Sequence, residues 1–186
     1  SPECVADYTV MLMLMSIRKM KRIMQREEIN DFSLPGIKGK EMPNFTVGVL
    51  GTGRIGRAVI RDISGFGCKI YAYDQYENDE VKKYAQYASL DEFMKMRYDY
   101  LHMPLTKENM HLIDAEAIQK MQDGVVLINT ARGGLIDTKA LIDGLESCKI
   151  GAAGLDVIED EFGMYYFDRK SDVLSKHDLY ILRGFP

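Results

Sequence analysis

The run Thr46 to Leu50, short, apolar and rich in β-branched residues, passes directly into Gly51, Thr52, Gly53, Arg54, Ile55 and Gly56 and then into a helical pattern. A strand that ends on glycines at this spacing and opens a helix is the first unit of a dinucleotide-binding α/β domain. A second strand-like run, Cys68 to Tyr73, ends on Asp74. That is roughly twenty residues beyond the last glycine, where the same fingerprint places a ribose-binding acid.

Each residue type there has a physical task. Gly51 permits the tight turn, Gly53 removes a Cβ so that the backbone can approach a pyrophosphate, and Gly56 lets the helix lie close on its strand. The phosphates then rest on unpaired amides at the positive end of the helix, with no charged side chain required. A carboxylate at Asp74 accepts hydrogen bonds from both hydroxyls of an adenosine ribose and repels a 2′-phosphate. No Lys or Arg follows in Gln75, Tyr76 and Glu77, so NAD is expected over NADP. The plainer alternative is a glycine turn that only joins a strand to a helix.

At 186 residues and 46% apolar composition, the chain can form one well-cored domain with pieces of another. A net charge of −4 argues against a nucleic-acid partner. The basic group Arg18, Lys19, Lys21, Arg22 and Arg26 reads as a solvated helix face. Cys4, Cys68 and Cys148 show neither metal-ligand spacing nor a disulfide framework, so no metal is expected and a reducing cytoplasm is the simplest compartment. The apolar run Val10 to Met15 is far shorter than the roughly 20 residues of a membrane span, and no membrane partner is expected.

Ser1 and Pro2 can cap and start a helix. Val5, Thr9, Leu12, Met13, Ile17, Met20, Ile23 and Met24 then recur at helical spacing to about Glu28. Residues 1–30 are therefore expected to form one long interdomain or dimer-interface helix, its methionines serving as adaptable packing. Pro35, Gly36, Gly39 and Pro43 mark a loop. From Thr46 the pattern alternates: strand 46–50, helix 54–65, strand 68–73, helices 78–84 and 89–96, a strand to His102, helix 115–121, strand 124–129, helix 138–146 and strand 149–154. This alternation predicts a Rossmann-type doubly wound parallel sheet with helices on both faces. The expected divisions are a dinucleotide-binding domain over 45–160 and, over 161–186, the start of a return toward a second domain.

In such a sheet ligands lie outside the carboxyl ends of the strands. His102, Met103 and Pro104 follow one strand; Asn129, Thr130, Ala131 and Arg132 end or follow another; Asp156, Glu159 and Glu161 follow the last. Arg132, flanked by Gly133 and Gly134, can offer a planar fork to a carboxylate, although an Arg that merely bridges helix and strand is the competing reading. Taken alone, Glu159 and Glu161 read best as a solvated loop.

Together these stretches resemble the NAD-dependent D-isomer-specific 2-hydroxyacid dehydrogenases, most closely their D-lactate dehydrogenase branch. The residues that carry the resemblance are Val47 to Asp74 with its glycines, Leu101 to Thr106, Asn129 to Asp137 and Gly154 to Glu161. It implies that Arg54 and Ile55 line the pyrophosphate and that Asp74 holds the ribose. It places Met103, Pro104 and Asn109 along the adenosine half, with His102 cofactor-side or structural. It further implies that Thr130, Ala131 and Arg132 reach the nicotinamide, that Arg132 grips the carboxylate of a 2-oxo acid, and that Asp156 bonds the carboxamide.

Glu161 matches the carboxylate paired with the family's catalytic His, whose pKa an anionic neighbour raises. That His follows a Pro in the family and by interval falls beyond Pro186. His177 reads as a surface residue and His111 as an ordinary helix-end residue. With about a hundred residues of substrate domain expected before the equivalent of Ser1, the chain is expected to be a fragment that is inactive alone, part of a homodimer in the complete protein.

The implied reaction is hydride transfer between NADH and a small 2-oxo acid, pyruvate first, to give the D-2-hydroxy acid. A dehydrogenase for a larger acid, such as 2-hydroxyglutarate or 2-hydroxyisocaproate, is the second choice, with Phe162 to Phe167 shaping the pocket. A non-catalytic NAD-sensing module of corepressor type is a different class of answer. The retained Arg132 and Glu161 argue against it.

Overall fold

The computed structural model describes residues 1–94, 100–101, 108–161 and 181–185. Ser1 caps α1 (Pro2–Ile17) by accepting the Cys4 amide, and Pro2 occupies a first-turn position where a missing N–H is harmless. The expected long helix is not continuous. It ends at Ile17, Lys19 turns left-handed at φ 56°, and α2 (Met20–Glu27) starts afresh.

The cause is tertiary. The amide of Lys40 takes the Ile17 carbonyl at 3.0 Å, and a Cβ on Gly39 would lie 2.9 Å from the Arg18 Cα, so the 36–40 loop is docked hard on the chain where the helix stops. Of the methionines, Met13 is core, whereas Met11 and Met24 are exposed. Helix α2 buries no residue, and beyond it Ile29, Phe32 and Leu34 stand 73%, 73% and 79% exposed.

The alternating region follows: β1 (Thr46–Leu50), α3 (Arg54–Ser64), β2 (Lys69–Tyr73), β3 (Gln86–Tyr87), α4 (Leu90–Met94), β4 (Tyr100–Leu101), α5 (Ala115–Lys120), β5 (Val125–Asn129), α6 (Thr138–Glu146) and β6 (Ile150–Leu155). The six strands form one sheet in the order β3-β2-β1-β4-β5-β6, every neighbouring pair parallel. The expected helix at 78–84 is instead a single tight turn, Val81–Lys83, and β3 is a two-residue strand that the pattern did not reveal.

Alternate side chains of β1 and β5 enter different cores, which is why these strands carry unbroken apolar runs. Val47, Val49, Val126 and Ile128 pack with Ala6, Met13, Val59 and Ile63 of α1 and α3. Leu50, Val125 and Leu127 pack with Ile118, Leu141 and Leu145 of α5 and α6 on the other face. Asp114 and Asp137 cap α5 and α6 by accepting the amides of Ala117 and Ala140 at 2.8 and 3.0 Å. Among the described residues, no helix is long and apolar enough to cross a membrane.

Candidate functional site

The sheet reverses its winding between β1 and β4, and the loops that leave the carboxyl ends of its strands gather there. Gly51 needs its glycine, since its φ is 95°. Gly56 needs it for space: a Cβ there would meet the Gly51 carbonyl oxygen at 2.0 Å. Gly53 is different. A Cβ on Gly53 would meet nothing within 4 Å, and Gly53 caps α3 without any side chain bonding the first-turn amides. An open cradle in front of uncapped amides at a helix N-terminus fits a dinucleotide pyrophosphate. Arg54 is exposed at its rim, with Ile55 half-buried beside it.

Asp74, at the end of β2, faces the same loop. Its Oδ2 accepts the Thr52 amide at 2.6 Å and the Thr52 hydroxyl at 3.0 Å, and its Oδ1 accepts the Tyr76 amide at 3.2 Å. Burial opposes ionisation, but the amides of Thr52, Tyr76 and Gln75 and the Thr52 hydroxyl outweigh it and hold the carboxyl below the ordinary aspartate value.

After β5, Asn129 shapes the next loop. Its side chain accepts the Ala131 amide at 3.1 Å and donates to the Arg132 carbonyl at 2.9 Å, while its own carbonyl takes the Asp156 amide at 3.0 Å. Thr130 is buried, with its hydroxyl 2.9 Å from that of Thr9 on α1. Because Thr9 donates its proton to the Val5 carbonyl, Thr130 is the donor of this pair. Arg132 is exposed and donates to the Ala131 carbonyl at 2.7 Å.

The loop after β6 is pressed against this one. A Cβ on Gly133 would sit 2.1 Å from the Ile158 carbonyl oxygen, so the two backbones touch. That contact brings the Arg132 and Glu161 segments together. Glu161 is half-buried and its Oε2 accepts the Ile158 amide at 3.1 Å, while Asp156 is exposed.

Glu159 departs from the solvated-loop reading. Its Oε2 accepts both the amide and the hydroxyl of Thr138, at 2.8 and 2.7 Å, and its Oε1 lies 2.5 Å from His111 Nε2. His111 is likewise not an ordinary helix end. It sits at φ 53°, donates its amide to the Gly134 carbonyl at 2.8 Å, and so ties the segment after β4 to the loops after β5 and β6. Asn109 begins that segment, its carbonyl accepting the Leu112 amide at 3.1 Å. His102, Met103, Pro104, His177 and Phe162 to Phe167 lie outside the described residues.

The clasp titrates. The hydrogen bond with Glu159 raises the His111 pKa against a smaller opposing effect of burial, with Glu159, Asp137 and Asp114 adding attraction. Burial alone would raise Glu159, but the Thr138 hydroxyl, His111 and the Thr138 amide together lower it. A raised imidazole stabilises fully below its unfolded value of about 6.5 and loses that contribution as pH climbs through the folded value. A lowered carboxyl stabilises above its unfolded value of about 4.3 and loses that contribution as pH falls through the folded value. The clasp is therefore strongest between those limits and weakens into the alkaline range. The stability gap between the wild type and His111→Asn, read from urea midpoints, should narrow from pH 6 to pH 9; a gap that stays constant would show that the pair carries no charge-dependent stability.

Residues 10–182 match the family described as "D-isomer specific 2-hydroxyacid dehydrogenase, NAD binding domain". The aromatic 2-oxoacid reductase of Clostridium sporogenes is 46% identical over 188 residues, covering 100% of this chain and 57% of the relative. Among solved structures, the pyruvate reductase of Chlamydomonas reinhardtii superposes with a TM-score of 0.93 at 42% identity, and the D-lactate dehydrogenase of Lactobacillus jensenii with NAD+ with a TM-score of 0.90 at 36% identity. Each of those two is matched over 100% of this chain and 57% of its own length. The chain thus spans a little over half the length of these relatives.

Proposed function

This chain belongs to the D-isomer specific 2-hydroxyacid dehydrogenases as their NAD-binding domain, and we propose that the protein carrying it reduces a small 2-oxo acid to the D-2-hydroxy acid with NADH. The observation that carries this reading is the backbone contact of Gly133 with Ile158, which sets Arg132 and Glu161 on adjoining loops at the carboxyl edge of the sheet that holds the nucleotide cradle. A domain that only senses NAD needs the cradle but has no use for that pair.

The cofactor, when bound, supplies the hydride. The glycine loop and the first turn of α3 hold its pyrophosphate, with Arg54 and Ile55 at the rim, and Asp74 holds the adenosine ribose. Asn109 borders the adenosine half, while Thr130, Ala131 and Asp156 bound the nicotinamide side. Arg132 binds the substrate carboxylate and so orients its carbonyl. Glu161, as an anion, raises the pKa of an imidazole placed beside it, so that a proton is held at that ring for the carbonyl oxygen.

Pyruvate is the first choice of substrate. A larger side chain is the second, and the name of the Clostridium sporogenes relative favours keeping it in view. The exposed apolar surface of α2 and Ile29 to Leu34 is where we place the interface of a homodimer, and the cytoplasm is the proposed compartment.

The test is NADH oxidation by pyruvate, 2-oxoisocaproate and phenylpyruvate, assayed in the longest protein that carries these residues. Saturable oxidation with at least one of them, yielding the D-isomer, is expected. NADH binding with no turnover on any 2-oxo acid would favour the sensing module.

A further inference from the structure

Thr52 and Tyr87 are joined in a one-way chain of hydrogen bonds that ends on the ribose-binding acid. The Asn78 amide donates to the Tyr87 hydroxyl oxygen at 2.9 Å, the Tyr87 hydroxyl donates to Thr52 Oγ1 at 2.9 Å, and the Thr52 hydroxyl donates to Asp74 Oδ2 at 3.0 Å. Each hydroxyl has one proton, and the carboxylate can only accept: it takes the Thr52 proton, which leaves Tyr87 as the donor to Thr52 Oγ1 and so fixes the direction of the chain. Thr52 is buried, and its own amide reaches the same Oδ2 at 2.6 Å.

We propose that Tyr87, acting through Thr52, is a positioning residue that fixes the Asp74 carboxylate and thereby sharpens the choice between an unphosphorylated and a phosphorylated adenosine ribose. The inference rests on the NAD reading above and adds to it the residues that hold the acid in place. With Oδ2 bound to both donors of Thr52 and Oδ1 to the Tyr76 amide, the plane of the carboxylate is set by backbone on two sides. Its remaining lone pairs are left to meet a ribose diol in one orientation. A carboxylate pinned in this way also cannot turn aside from a 2′-phosphate.

Tyr87 reaches this position because β3 adds to β2 at the edge of the sheet, pairing Ala72 with Tyr87 two residues before Asp74. Removing its hydroxyl takes the donor from Thr52 Oγ1 and leaves the Thr52 hydroxyl free to rotate toward other acceptors. The Asp74 carboxylate then keeps the Thr52 amide but loses the second bond that stops it from swinging.

The experiment is calorimetric titration of NADH and of NADPH into the wild type, Tyr87→Phe, Thr52→Val and Thr52→Ser, each first checked for a cooperative thermal transition. In Tyr87→Phe and Thr52→Val, NADH affinity should fall about five- to tenfold while NADPH is not weakened, so that the preference for NADH narrows. Thr52→Ser retains the hydroxyl and should keep the wild-type preference. A fall of equal size for both cofactors, or an unchanged NADH affinity, would overturn the positioning role while leaving NAD binding intact. A wild type that holds neither cofactor would overturn both readings. Thr52→Val breaks the relay at its middle and reads the same narrowing of preference should Tyr87→Phe not fold.

Discussion

Gly56→Ala should lower the thermal midpoint of this domain by roughly 6 to 12 °C, the equivalent of about 3 kcal/mol for a chain of this size. The Cβ it adds would stand 2.0 Å from the Gly51 carbonyl oxygen, with the Gly51 carbonyl carbon at 3.0 Å. Neither is the movable end of a side chain. Relief requires α3 to lift from the turn that leaves β1, and the same helix packs Ala58, Val59 and Ile63 into the core shared with α1. The lift therefore loosens packing well beyond the substituted residue, which places the cost at the upper end for overpacked sites. Gly53→Ala is the control, because its added methyl enters open space at φ −64°. Thermal unfolding followed by circular dichroism distinguishes the two. A Gly56→Ala variant that melted within about 2 °C of the wild type would show that the helix does not depend on this close approach.

Arg132→Ala should reduce kcat/KM for the 2-oxo acid by about 10²- to 10³-fold in a protein that shows turnover. Arg132 is the exposed cation at the tip of a loop whose shape is held by Asn129 and whose neighbour Gly133 abuts Ile158, so the truncated side chain leaves the loop itself standing. The loss should therefore fall on substrate binding and orientation while NADH affinity stays near the wild-type value. Steady-state kinetics with calorimetry of NADH on the same variant separates the two effects. Normal turnover in Arg132→Ala would remove the residue from the mechanism, and a parallel loss of NADH affinity would move it to the cofactor.

Those two positions illustrate what could be read directly from the chain. The glycine spacing and the apolar runs of β1 and β5 are local patterns, and β1, α3, β5, α6 and β6 stand within a residue or two of where the pattern put them, whereas the helix expected at 78–84 does not. The break at Lys19 was not legible, because the helical period continues through it. What stops α1 is the docking of Gly39 and Lys40, some twenty residues away. Strand β3 is too short to show a period, and its role comes from what it sets beside β2.

The same distinction separates the candidate site residues. Asp74 and Arg132 announce themselves by type and position after a strand. Thr9, an unremarkable member of a helical stripe, acquires its role from Thr130, 121 positions later. Glu159 reads as a solvated acid until Thr138 and His111 are folded onto it, from 21 and 48 positions away. No such local cue marks Glu159, which lies four residues past the end of β6 with the exposed Asp156 between.

Calorimetric titration of the unmodified chain with NADH and with NADPH under identical conditions is the deciding measurement. The cradle at Gly53 and the ionised, doubly pinned Asp74 require that NADH bind and that NADPH bind at least about tenfold more weakly, a difference of about 1.4 kcal/mol. Equal binding of the two, or no heat with NADH, would contradict it.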